Sequence, residues 1–271
     1  WIAHFAYWGF NQYITQRALG AKSLKEAQKG VMFAAYLKLL MPLVIVLPGI
    51  CAAVLFPILE KTDQAYPTMM IELLPSGLLG LTFAALIAAI VSSLASMTNS
   101  ISTIFTMDIC RSFSKQEISQ KSLILIGRSA VVGSMLIALI MAKPILGNSD
   151  QIFQYIQNFT GLFTPGILVI FLVALFWKKA TTLSVLVAAI LSVAMSVFIQ
   201  ATFPEFPYIH RMGAVFFASG LGCYVTSKAQ GYLDQDKAID LNGINFVTSR
   251  AFNFNTFIIV SILTVIYVTF G

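Results

Sequence analysis

The sequence predicts an all-α protein that crosses a membrane several times. Three observations predict it. Hydrophobic residues fill 58% of the 271 positions and charged residues only 10%, against about 25% charged in a soluble domain, and mean hydropathy is +0.84. The apolar residues run continuously over span lengths, without the two-residue alternation of a membrane barrel strand. No charge occurs between Glu72 and Asp108, a stretch long enough to cross a bilayer with some tilt.

Eight apolar segments follow in order, at roughly 1–16, 31–58, 77–107, 122–142, 151–177, 180–203, 208–227 and 252–271, each read from continuous hydrophobicity and helical spacing. The first crowds aromatics (Trp1, Phe5, Tyr7, Trp8, Phe10, Tyr13) among polar groups (His4, Asn11, Gln12, Gln16). That mixture suits an interfacial aromatic belt. It equally suits sugar recognition, in which a ring packs on the apolar face of a pyranose while amides and imidazole bond its hydroxyls. The second segment carries one charge, Lys38. It lies about 13 Å of helix from Lys29, so it either snorkels to the interface or donates hydrogen bonds to a polar solute.

The third segment organises the chain. It reads FAALIAAIVSSLASMTNSISTIFTMD from Phe83 to Asp108, and Ser92, Ser96, Asn99 and Thr103 share one helical face. Lipid offers nothing to such a face. It serves close helix packing, with hydroxyls bonded across the contact or back to their own helix, or it holds a hard, weakly charged cation at mid-depth together with carbonyls freed by a broken neighbour. In the fifth segment Gln154, Gln157 and Asn158 need partners, and Gly161, Pro165 and Gly166 let the helix bend. After Trp177 the helices read as apolar on nearly all faces, as lipid-facing helices should. The seventh is the weakest, since Arg211 and Lys228 enclose a short uncharged run.

Loop charge sets an expected topology. Arg17, Lys22, Lys25, Lys29, Arg111, Lys115, Lys121, Lys178, Lys179, Lys228, Lys237 and Arg250 fall on one side. Only Lys61, Lys143 and Arg211 fall on the other. The positive-inside rule places the first set in the cytoplasm and the C-terminus, Gly271, outside. The net charge of +6 is therefore a topology signal rather than a nucleic-acid footprint. The loop between the last two segments, holding Asp234, Asp236 and Asp240, reads as solvated. The chain opens on Trp1 inside an apolar run, without Met or a signal peptide. It is expected to be a C-terminal piece of a longer protein.

Cys51, Cys110 and Cys223 are scattered and indicate neither a zinc site nor a disulfide framework. No GxGxxG, Walker A loop or HExxH occurs, and His4 and His210 are remote from each other, so an enzyme is a poor reading.

Three stretches carry a resemblance: YWGFNQYITQRALGAKSLKEAQKG at 7–30, FAALIAAIVSSLASMTNSISTIFTMDI at 83–109, and FQYIQNFTG at 153–161 running on to Lys179. Together they resemble the solute:sodium symporter family, and within it the bacterial sodium/galactose branch, over nearly the whole chain. The resemblance implies a LeuT-like fold of two inverted five-helix repeats. Residues 1–177 would be the second repeat, starting at its broken first helix, which is incomplete, and 178–271 three peripheral transmembrane helices. It places sodium at the backbone carbonyl of Ala89 and the hydroxyls of Ser92 and Ser93. Tyr7 would close the inner side of the sugar site, Trp8 would line it, and Lys38 and Gln157 would bond the sugar. His4 stands where that branch has a sugar-bonding asparagine, and Ala6 where it has a tyrosine, which leaves the identity of the hexose open.

The expected function is therefore sodium-coupled symport of a galactose- or glucose-like sugar across a bacterial inner membrane by alternating access. Its partners would be sugar, sodium ion, the bilayer and a missing N-terminal repeat, with no nucleic acid and no cofactor beyond sodium as coupling ion. The alternatives are symport of a polyol, carboxylate or amino acid on the same fold, or a membrane sensor without net flux.

Overall fold

A computed structural model describes residues 1–114, 117–146, 151–232, 234–235, 238–241, 243–244 and 246–270, with the side chains of 145 and 146 excepted. Lys115, Asp236, Lys237 and Gly271, used above for loop charge and topology, lie outside them. The described residues form helices joined by turns and loops, with no strand among them, and all eight apolar segments form helix. In order these are α1 (Ile2–Phe5), α2 (Gln12–Leu19), α3 (Leu24–Leu39), α4 (Leu47–Leu55), α5 (Ala65–Leu73), α6 (Ser76–Thr103), α7 (Arg111–Phe113), α8 (Gln120–Leu146), α9 (Ile152–Thr160), α10 (Thr164–Phe176), α11 (Thr182–Thr202), α12 (Tyr208–Ala229) and α13 (Arg250–Phe270). Among the described residues, five helices are long and apolar enough to cross a membrane: 24–55, 76–113, 120–144, 182–202 and 250–270. A sixth is the pair α9 and α10, bent by 40°. The first segment falls short because it is broken into two pieces. Helix α12 falls short because His210, Arg211 and Lys228 dilute its apolar run.

The chain forms two compact units, one of residues 1–28 and 153–257 and the other of residues 29–152 and 258–271. In the first unit, α1 continues through a π-helical turn at Ala6–Phe10 and stops at Asn11, whose extended backbone (φ −80°, ψ 117°) separates it from α2. Phe10 stacks on Phe171 of α10, ring centroids 4.8 Å apart. The bend between α9 and α10 falls where Gly161 and Pro165 sit, as expected of residues that loosen or forbid the helical ladder. Helices α10, α11 and α12 enclose a small apolar core of Val169, Ala188 and Cys223, flanked by Val173, Trp177 and Phe216.

Here the structure corrects one expectation. The helices after Trp177 are not apolar on nearly all faces. Ser184, Ser192 and Ser196 on α11 and Ser219 and Ser227 on α12 are all buried, each at most 1% exposed. They recur at multiples of four residues, on one stripe of each helix. Serine is small and barely lowers local hydropathy, so the stripe was hidden in an apolar run. It lets the two backbones approach, as small residues do between membrane helices. Ser192 does more: its Oγ accepts from the Gly166 amide at 2.9 Å and donates to the Leu162 carbonyl at 3.4 Å. It thereby supplies groups that the α9–α10 break leaves open. Gly166 must be glycine for this, since a Cβ there would sit 2.6 Å from Ser192 Cβ. Thr181 and Ser184 close a reciprocal capping box at the start of α11.

In the second unit, α3 runs through a π-helical turn at Pro42–Val46 into α4, the turn falling where Pro42 cannot donate its hydrogen bond. Helix α6 continues through a second such turn, Ile104–Cys110, into α7. Helix α8 returns along it. It packs closely at Gly127, where a Cβ would lie 2.7 Å from Ser102 Oγ and 3.3 Å from Thr106 Oγ1. The Ile152 amide at the start of α9 donates to Asp63 Oδ2 at 2.9 Å.

Candidate functional site

The hydroxyl-rich helix α6 divides its polar side chains into two kinds. Thr82, Ser96, Thr98 and Thr103 donate to the carbonyls of Leu78, Ser92, Leu94 and Asn99, four residues back, at 2.8–2.9 Å. This is the local bonding that satisfies a hydroxyl inside an apolar helix. The Ser92 and Ser93 hydroxyls make no such bond among the described residues. Both are exposed on the surface of the chain, as is Ala89 one turn before them. The three residues therefore lie within a turn on one continuous helix, with two hydroxyl oxygens not committed to their own backbone.

In the first unit the structure joins Tyr7, Trp8 and Tyr13 into one aromatic cluster. Tyr13 Oη donates to Tyr7 Oη at 2.5 Å. The Tyr7 ring meets Trp8 and Tyr13 edge-on, centroids 5.7 and 5.8 Å apart, the favoured geometry for ring quadrupoles. The cluster is built across the break at Asn11, and Tyr7 and Trp8 lie in the π-helical turn, a local widening often found at functional positions. Tyr7 and Trp8 are each 39% exposed. His4 lies about a turn before Trp8 and is also exposed. Sequence reasoning named Tyr7 and Trp8 but missed Tyr13 as their partner. The signal available was a second tyrosine six residues on, across an Asn-Gln pair that breaks the helix.

Gln157 is half-buried on α9. Its neighbour Asn158 accepts from Arg211 Nη2 at 3.2 Å. Arg211 is only 4% exposed, so α12 clamps α9 through a buried charge-assisted bond. This revises the reading of Arg211 as a boundary charge: it lies within the first turn of α12 and points into protein. A lone Arg at the edge of an apolar run gives no sign of which way it faces. Lys38 belongs to the second unit, near the end of α3, and its side chain is exposed.

Discontinuous helices and polar groups at mid-depth recur in membrane carriers. The family model for the sodium:solute symporter family matches residues 2–192, and the chain belongs to that family. Its relatives include a sodium/glucose cotransporter of Vibrio parahaemolyticus, 42% identical over 100% of this chain and 53% of that protein. A sodium/myo-inositol cotransporter 2 of Homo sapiens is 38% identical over 64% of this chain and 28% of its own length. A sodium/mannose cotransporter of Bos taurus is 35% identical over 64% of this chain and 32% of its own length. The chain thus spans about half the length, or less, of the curated relatives it matches.

Proposed function

We propose that this chain forms part of a sodium-coupled sugar symporter working by alternating access in a bacterial inner membrane, its C-terminus on the periplasmic side. Sodium binds at the Ala89 carbonyl and the Ser92 and Ser93 hydroxyls. The observation that carries this reading is on α6: Thr82, Ser96, Thr98 and Thr103 bond their own helix, whereas Ser92 and Ser93 present exposed hydroxyls that do not, unlike Ser100, whose unpaired Oγ is buried. Hydroxyl and carbonyl oxygens suit a hard monovalent ion, whose hydration shell they replace. The sugar-facing residues are His4, Tyr7, Trp8, Lys38 and Gln157, with Tyr13 holding Tyr7 in place. Residues 1–177 act as the second repeat of a LeuT-like core and 178–271 as peripheral helices, completed by a first repeat in the full protein. Sodium is a coupling ion, and no covalent chemistry or resident cofactor takes part. Because ion and solute bind reciprocally, sodium raises solute affinity by the same factor as solute raises that of sodium.

The test is uptake by the full-length protein in vesicles. Ser92→Ala with Ser93→Ala should abolish sodium dependence while the protein still assembles in the membrane; uptake that stays sodium-driven refutes the site. The second reading, a polyol as solute, is favoured by the myo-inositol cotransporters among the relatives. Competition by glucose, galactose, mannose and myo-inositol against one labelled solute separates the two.

A further inference from the structure

Arg211 is the only charged side chain buried among the described residues, at 4% exposed. Its Nη2 donates to Asn158 Oδ1 at 3.2 Å, and its Nε has no partner. An apolar side chain would fill the same place without the cost of taking a guanidinium out of water. Stability alone gives no reason for the charge. The best-attested use of such a buried polar group is to fix one packing register.

The element it fixes is α9. This helix is only nine residues long and is set off from α10 by the 40° bend. Among the described residues, hydrogen bonds from outside the α9–α10 segment reach it at two places. One is its first amide, at Ile152, which donates to Asp63. The other is Asn158, which accepts from Arg211. Met212, the next residue of α12, packs one turn further on, where a Cβ at Gly161 would lie 3.7 Å from its Cγ. Asn158 and Gly161 are three residues apart and share a face, so α12 holds one side of α9 next to the bend. All of these α9–α12 contacts lie within the first unit.

Gln157 stands about 100° round the helix from Asn158. It is half-buried, and its side-chain amide makes no hydrogen bond among the described residues. That amide lies roughly 5–6 Å from the helix axis. A roll of α9 by about 20° would carry it through roughly 2 Å, farther than a hydrogen bond stretches.

We propose that Arg211 is a positioning residue for the transported solute: through Asn158 it holds α9 in the one rotation that presents Gln157 to the sugar. The proposal rests on the reading of Gln157 as sugar-facing given above. It assigns part of the solute affinity to α12, a helix that supplies none of the proposed solute contacts, in the way that a supporting shell keeps a binding group in register.

The experiment is equilibrium binding of labelled glucose, in sodium, to the purified full-length protein in lipid discs. Gln157→Ala should weaken binding by about tenfold, the upper range for one hydrogen bond. Arg211→Met fills the same space without donors. It should weaken binding severalfold, and by no more than Gln157→Ala does. In the Gln157→Ala background Arg211→Met should add nothing, because the side chain it positions is already gone. Asn158→Asp keeps an acceptor for Arg211 and should retain the affinity. If Arg211→Met does not assemble, Arg211→Met with Asn158→Leu takes its place, since removing both polar partners leaves neither stranded. A merely structural Arg211 would weaken binding by the same factor in both backgrounds, and that result overturns the proposal. Binding weakened by Gln157→Ala but untouched by the Arg211 variants overturns this proposal alone. Binding untouched by Gln157→Ala refutes the sugar-facing reading of Gln157, and the proposal falls with it.

Discussion

The α11–α12 pair and helix α6 use the same residue in opposite ways. Both place serines at helical spacing in a strongly apolar run. In the pair, Ser184, Ser192, Ser196, Ser219 and Ser227 are sealed between helices, where small side chains let backbones touch and hydroxyls mend a neighbouring bend. On α6 none of the most apolar window is buried within the chain, against 22% on α11. There Ser92 and Ser93 keep hydroxyls that their own helix does not use. A serine stripe in a membrane helix thus marks a packing seam or a polar face, and the neighbour decides which.

Substitutions that exploit this contrast should separate packing from binding. The largest loss of stability should come from Gly166→Val in the full-length protein. Its side chain would collide with Ser192 and break the bond from the Gly166 amide, so unfolding in detergent should come earlier by about 3 kcal/mol or more. Gly80→Ala on α6, where a Cβ meets nothing within 4 Å, is the control and should leave the midpoint unchanged. Next is Asn158→Leu, which strands the buried Arg211 guanidinium. Thermal unfolding should show a cost of about 1.5–3 kcal/mol, with weakened solute affinity if Gln157 beside it moves. Thr181→Ala removes the capping box of α11 and should cost about 1 kcal/mol by the same measurement. The smallest effect belongs to Ser196→Ala. The Ser196 Oγ is buried without a partner, so its loss should be neutral or slightly stabilising, since no bond is lost with it. The Ser92→Ala, Ser93→Ala pair should join it at the bottom of the stability scale while heading the scale of sodium dependence. A double variant that instead unfolds like Gly166→Val would mean that these hydroxyls pack rather than bind.

Much of the architecture was legible in the residues. All eight apolar segments became helix, because a run of apolar residues in lipid must satisfy its own backbone. The bend near Gly161 and Pro165 was legible too, since proline and glycine act locally. The break at Asn11 was expected only through the family resemblance, because polar amides beside aromatics read equally well as an interfacial belt. Arg211 and the serine seam were missed for one reason. Burial depends on which helix lies opposite, and hydropathy along a chain contains no term for that.

The sequence by itself determined that this protein lives in a membrane as helices, which family it resembles, and which hydroxyls and rings were worth watching. Those properties follow from local composition and spacing. Only the tertiary structure decided that Ser192 braces a bend, that Tyr13 holds Tyr7 and that Arg211 turns inward. Each of these depends on residues that are distant along the chain, or separated by a backbone break, being brought within bonding range.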